Sequence, residues 1–333
     1  MSASPATPAR LGHRAGVVRR ALRREGARLR DPRRILAMAL LIGFLALVLA
    51  GIVARADTGG SDAQAYWAAV RLWLEGGDPY HPTGPFLPYV YAPWMLPLFV
   101  PWALLPWDVA WFAWRGATLL VFLWSVRWAY GRRPLPTAVL IVILAIPIGA
   151  SIDTGNINLP LAVALFGAQF TRGWIGGLIW GLATSMKWVP APLWVVLPPR
   201  ARRWGLVFLA ISGLLSLLML PLTIVQLQAL FGFGHRPFRA DYLVFVWAIV
   251  PWWWRLRRPF AFLQPAAWLA TGNTLATRTR RWTAAFRADP RTTFRRARDL
   301  ARAWASRFLG LDGRGDAGDG RLPARPRASE IGD

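Results

Sequence analysis

Between residues 35 and 254 apolar positions come in blocks, separated by short polar or proline-rich breaks. Apolar runs occupy residues 35–54, 108–130, 137–152, 157–171, 174–198 and 204–226, with a shorter aromatic run at 242–254. A run of about twenty such residues crosses a hydrocarbon layer of about 30 Å as a helix. Backbone groups in lipid must pair within their own segment, and the period-two alternation of a barrel is missing. The pattern predicts an all-α, polytopic transmembrane helical bundle of about eight or nine spans. Pro93, Pro97, Pro101 and Pro106 make one of these kinked or short. The count rises to nine if 174–198 breaks near Lys187 and Pro190.

Polar positions gather where the apolar pattern stops, above all between residues 57 and 93. Asp57, Asp62, Asp78, Tyr66, Tyr80, Tyr89 and Tyr91 all fall in this first loop. Within it, Ala65, Tyr66, Ala69, Leu72 and Trp73 recur at helical spacing, which predicts a helix over 62–74 lying along the membrane interface. A second polar break, Asp153-Thr-Gly155-Asn156-Ile-Asn158, separates two later runs. Past residue 255 the chain turns polar. Leu300, Trp304 and Phe308 are spaced four apart there among arginines, which predicts an interfacial helix over 295–308 followed by disorder. Three regions result: a basic segment 1–34, a membrane domain 35–254, and a basic tail 255–333.

Charge sets the expected orientation. The chain carries a net charge of +24, with ten Arg in residues 1–34 and seventeen in 255–333. The segment 55–88 holds Arg55 and Arg71 against Asp57, Asp62, Glu75 and Asp78. Basic flanks stay inside, so the N-terminus is expected to be cytoplasmic and the acidic loop extracytoplasmic. Basic termini also suit nucleic acid. Arginine beside a first span is explained more simply by topology and by contact with anionic membrane lipids, so no nucleic-acid partner is expected. With no Cys in the sequence, disulfides and thiol catalysis are excluded.

Few residues could carry chemistry. Asp62 could take a proton from an attacking hydroxyl. Ser61-Asp62 is also a common helix cap, and by spacing alone the cap is the better reading. Asp57 is the rival base, and Asp78 before Pro79 reads as a turn residue. Lys187, the one lysine, lies inside an apolar run, where a cation usually faces a cavity, a partner or a lipid phosphate. Arg115 invites the same reading more weakly. Asp153, Asn156 and Asn158 offer hydrogen bonds, although by spacing alone a plain inter-helix loop is the better reading. His81 and His235 stand alone, so no metal site and no cofactor are expected.

Taken in order, the motifs resemble a membrane glycosyltransferase of the GT-C class, most closely glycosyltransferase family 87. The residues that carry the resemblance are Asp62-Ala-Gln-Ala-Tyr66-Trp-Ala-Ala, Gly76-Gly-Asp78-Pro-Tyr80, Tyr91-Ala-Pro93, Gly155-Asn156-Ile-Asn158 and Gly181-Leu-Ala-Thr-Ser-Met-Lys187-Trp-Val-Pro190. The family's usual Gly-Gln pair is Gly155-Asn156 here, and relatives carry further spans where this chain turns polar. The resemblance implies a GT-C bundle whose extracytoplasmic first loop bears interfacial helices, in a multi-pass cell-membrane enzyme. It implies a sugar, mannose in the family, moved with inversion from a polyprenyl-phosphate donor to a lipid or glycan acceptor. Asp62 would then be the base and Lys187 the phosphate contact. Tyr66, Asp57, Asp78, Tyr80, Tyr91, Arg115, Asp153, Asn156 and Asn158 would line the substrate site. The other expectation is a non-catalytic membrane protein, a transporter or assembly partner, on a degenerate or truncated scaffold.

Overall fold

A computed structural model describes residues 31–54, 59–82, 84, 86–171, 173–232, 240–256 and 265–309. Among them the regular structure is entirely helical. In chain order the helices are α1 (Pro32–Ala54), α2 (Ser61–Leu74), α3 (Leu96–Ala103), α4 (Trp107–Arg132), α5 (Pro134–Ile143), α6 (Ala145–Thr154) and α7 (Asn158–Ala168). They continue with α8 (Trp174–Met186), α9 (Pro199–Leu218), α10 (Leu220–Gly232), α11 (Val246–Arg255), α12 (Pro265–Ala288) and α13 (Pro290–Leu309). Short 3₁₀ turns fill Pro93–Met95, Ala191–Val196 and Ala240–Phe245.

Three described helices, α1, α4 and α9, are long and apolar enough to cross a membrane, and α5 with α6 passes as a pair bent by 64°. Several of the expected full-length spans are therefore shorter pieces. The run 137–152 bends at Leu144, 204–226 breaks at Met219, and α7, α8 and α10 are short apolar helices. The proline-rich stretch yields only the 3₁₀ turn Pro93–Met95 and the short α3, because successive prolines remove helix donors. The run 174–198 does break at Lys187, whose extended backbone ends α8.

Asp31 opens α1 by accepting the backbone N–H of Arg33 at 3.0 Å, a first-turn donor without a helical partner. Much of α1 is then bare apolar surface, Ile42, Leu47 and Val53 included, while Leu41, Phe44, Val48 and Ile52 pack against the core. Such a surface belongs in lipid rather than water. Helices α8 and α9 meet through small residues. A Cβ on Gly177 of α8 would lie 2.5 Å from the backbone N of Gly205 of α9, so those two backbones touch.

Polar indole groups lock the interior. Trp247 Nε1 donates to Ser125 Oγ at 2.8 Å, and Trp254 Nε1 donates to Thr137 Oγ1 at 3.1 Å, tying α11 to α4 and α5. Gln169 Nε2 donates to the Ala248 carbonyl and completes the tie from just beyond α7. These bonds sit in the larger apolar core, built around Ile148, Leu159, Phe166 and Trp247. A second core, rich in tyrosine, gathers Tyr66, Tyr80, Tyr89, Tyr91 and Phe99 around α2 and α3.

The tail is more helical than its polarity predicts. The expected helix at 295–308 is the longer α13, and α12 precedes it in a stretch the sequence reading left without an element. The segment expected to be disordered, 310–333, and most of 1–34 lie outside the described residues.

Candidate functional site

The site forms where α2 meets the end of α6, and two glycines make that meeting possible. Gly60 precedes α2 with φ +87°, and its N–H donates to the Asp153 carbonyl at 2.8 Å. Gly155 ends α6 with φ +69°, a conformation that a side chain strains. A Cβ there would lie 2.5 Å from the Ala63 Cβ and 2.7 Å from the Trp111 ring. Trp114 Nε1 donates to the Gly155 carbonyl at 3.0 Å and pins the turn to α4.

This seam decides the role of Asp62. The cap position is Gly60, which makes no side-chain cap bond, so the expected cap role of Asp62 is overturned. Asp62 lies in the first turn, where the helix dipole favours an anion. Its Oδ2 accepts a hydrogen bond from Asn156 Nδ2 at 3.0 Å. Asn156 Oδ1 in turn accepts the Asn158 backbone N–H at 3.0 Å, and Asn158 Nδ2 donates to Asp241 Oδ2 at 3.1 Å. Two carboxylates from distant parts of the chain are thus held by one pair of asparagines.

Tyrosines form the other wall. The Tyr66 and Tyr91 hydroxyls are 3.1 Å apart, and the Tyr80 hydroxyl donates to the Tyr91 carbonyl at 3.0 Å. Gln226 Nε2 donates to the Val90 carbonyl at 2.9 Å and ties this strip to α10. Burial raises the Tyr66 phenol far above its ordinary range, and the nearby Asp62 carboxylate raises it further. Tyr91 is raised for the same reasons, with burial first and Tyr66 and Asp62 adding. Both rings therefore stay neutral, able to donate and accept but not to ionise.

Lys187 closes the constellation. Its Nζ lies 5.3 Å from the Tyr91 ring centroid and 5.7 Å from that of Tyr242. Two ring faces offer an ammonium partly removed from water about 0.5–2 kcal/mol each. The break after α8 is held by Trp180 Nε1, which donates to the Pro190 carbonyl at 3.0 Å. The contacts run from Asp62 through Asn156 and Asn158 to Asp241, which adjoins Tyr242, and from Lys187 through Tyr91 to Tyr66, whose phenol feels the Asp62 charge.

The remaining sequence candidates divide. Arg115 flanks the seam, its guanidinium 4.1 Å from the Trp111 ring centroid and electrostatically coupled to Asp153. Tyr80 is a buried prop for Tyr91. Asp78 stays exposed, accepting from the Tyr80 N–H at 2.9 Å and pairing with His81 Nδ1 at 2.7 Å, as a turn residue does. Asp57 and His235 lie outside the described residues. The sequence reading passed over Asp241 and Tyr242. No local signal marks Asp241, whose distinguishing bond is to Asn158, 83 positions earlier.

A helical membrane bundle with a polar, aromatic-walled site between its loops is the class that the fold defines. The model of Glycosyltransferase family 87 matches residues 89–297, well over half of the chain, and the chain belongs to that family. The match takes in Tyr91, Asn156, Asn158, Lys187 and Asp241, and begins after Asp62. The chain is also similar to a polyprenol-phosphate-mannose-dependent alpha-(1-2)-phosphatidylinositol pentamannoside mannosyltransferase of Mycolicibacterium smegmatis. The two are 33% identical over 129 residues, which is 36% of this chain and 31% of that relative. The matched part thus spans about a third of the relative's length. No solved structure matches the chain.

Proposed function

We propose that this membrane glycosyltransferase moves a hexosyl unit, mannose by likeness to its relative, from a polyprenyl phosphate to a hydroxyl of a lipid or glycan acceptor. Asp62 takes the proton of the acceptor hydroxyl as its oxygen attacks the anomeric carbon. The bond from that carbon to the phosphate oxygen breaks, its electron pair leaves with polyprenyl phosphate, and the configuration inverts. Lys187 faces the phosphate, where negative charge grows as the bond lengthens, so its stabilisation is largest in the transition state. Arg115 adds positive charge at the Asp153 edge. The reading puts the N-terminus in the cytoplasm, the first loop on the extracytoplasmic face and the chain across the membrane several times.

One observation carries this reading: a fixed carboxylate and a fixed ammonium share a single tyrosine wall. Asp62 is oriented by Asn156 at 3.0 Å and acts electrostatically on Tyr91, the ring over which Lys187 sits at 5.3 Å. An acid and a cation at the two ends of one wall suit a substrate with a hydroxyl at one end and a phosphate at the other. The arginine-rich tail, by contrast, offers charge without enclosure.

The purified full chain, given polyprenyl phosphate carrying radiolabelled mannose and a lipid extract as acceptor, should transfer label with inverted anomeric configuration. Retained configuration would rule out the single displacement, and absence of transfer from every polyprenyl-phosphate sugar would favour a non-catalytic role.

A further inference from the structure

Asp241 is held as firmly as Asp62, yet the transfer step just described gives it nothing to do. It lies in the 3₁₀ turn Ala240–Phe245, which packs against α6 and α7. Its Oδ2 accepts from Asn158 Nδ2 at 3.1 Å. Asn158 is itself fully buried, and its own Oδ1 has no hydrogen-bond partner among the described residues. A buried amide oxygen left unmatched is costly, and it can accept an incoming O–H donor. The adjoining residue, Tyr242, presents its ring to Lys187 at 5.7 Å and edge-on to Trp188 at 6.5 Å.

We infer that Asp241 and Asn158 form a sugar-hydroxyl subsite, one that anchors the donor's sugar beside the phosphate that Lys187 receives. The chemistry follows from the atoms. A carboxylate and an amide oxygen side by side are both acceptors, and a pair of neighbouring sugar hydroxyls supplies two O–H donors. The choice of donor over acceptor follows from chain continuity: Asp241 runs directly into Tyr242, which lies against the cation, whereas Asp62 stands at the other end of the asparagine pair. Asp62 then handles the acceptor hydroxyl and Asp241 holds the donor ring. The inference rests on the proposed transfer, and it makes Asp241 a substrate-binding residue rather than the base.

Equilibrium binding to the full chain in lipid nanodiscs tests it without requiring turnover. The probes are polyprenyl phosphate, polyprenyl-phosphate mannose, and the same lipid bearing singly deoxygenated mannose. The wild type should prefer the mannosylated lipid and lose roughly 10- to 100-fold in affinity for at least one deoxygenated form. Asp241→Asn should bind bare polyprenyl phosphate like the wild type, lose the preference for mannose, and become indifferent to that deoxygenation. Lys187→Met should weaken binding of bare and mannosylated lipid alike. The wild-type arm stands even if Asp241→Asn does not fold: equal affinity for every deoxygenated donor would overturn the subsite. An Asp241→Asn protein that keeps the mannose preference, or that loses only acceptor affinity, would overturn it too. Failure of the wild type to bind any of these lipids would instead remove the transfer reading on which the subsite rests.

Discussion

The site and the tail are made from the same materials, aromatic rings and charges, assembled in opposite ways. In the site, Tyr66, Tyr91 and Tyr242 are buried, and each charge has a fixed neighbour: Asn156 for Asp62, Asn158 for Asp241, two ring faces for Lys187. In the tail, Trp282, Phe286, Phe294, Leu300 and Trp304 are exposed among arginines. Near its described end, α13 meets the bundle at Phe308. There Arg202 lies 3.7 Å from the Phe308 ring centroid, its Nη1 donates to the Phe308 carbonyl at 2.8 Å, and Trp194 meets the same ring edge-on at 5.3 Å. Basic side chains beside exposed aromatics suit an anionic membrane surface. Enclosure, rather than the inventory of residues, separates a region fit for directed chemistry from one fit for adhesion.

Substitutions should respect that division, and the largest effect belongs to the site. Lys187→Met should lower the rate of sugar transfer by roughly 10²- to 10³-fold, the scale of losing one preorganised charge at a developing anion. The thermal midpoint should move little, and comparing rate with midpoint in one preparation checks both. A wild-type rate would detach Lys187 from the phosphate.

Next comes the seam. Gly155→Ala forces a side chain into a positive-φ position and against Ala63 and Trp111. It should cost about 2–4 kcal/mol in stability, with activity falling alongside. Thermal unfolding in detergent reads this, and an unchanged midpoint would mean that α2 and α6 do not meet as described.

A smaller effect is expected at the tail contact. Phe308→Ala removes the ring beneath Arg202 and should loosen α13 by about 1–2 kcal/mol, speeding tryptic cleavage of the tail roughly tenfold. Transfer from a soluble short-chain donor should not change. Loss of transfer there would tie the tail to catalysis.

The smallest effect is at Asp78. Burial pushes its carboxyl up, but hydrogen bonds from His81 and the Tyr80 backbone outweigh this and hold it below the usual carboxylate value of 3.8. A lowered folded-state value means the contribution is present above 3.8 and is lost as pH falls through the folded value. Because Asp78 is largely exposed, Asp78→Asn should remove well under about 1 kcal/mol near neutral pH, and progressively less on acidification. Transfer should stay within about twofold if the residue only holds its turn, and a larger loss would place it at the substrate.

How much of this could be read from the sequence depended on whether the cause was local. The membrane character, the break at Lys187 and the helix beginning near Asp62 all follow from neighbouring residues: apolar runs, a cation within an apolar run before Pro190, and helical spacing. The division of labour between Asp62 and Gly60 was hidden, because Ser61-Asp62 fits a cap equally well until Asp153 is seen to receive the Gly60 N–H. Asp241 was passed over because what marks it out is Asn158, eighty-three positions earlier in the chain. α12 was missed because a stretch rich in Arg and Thr reads as a polar tail. Bonds between distant loops have no signature in any single window.

The account's central claim is that Asp62 acts on the acceptor proton while the rest of the wall holds the donor. Single-turnover transfer by Asp62→Asn, with donor binding measured in the same sample, tests it most directly. The amide can still take part in hydrogen bonding but cannot accept the proton, so the account predicts near wild-type donor affinity with transfer slowed about 10²- to 10⁴-fold. Transfer at the wild-type rate would contradict it, and so would a defect confined to donor binding.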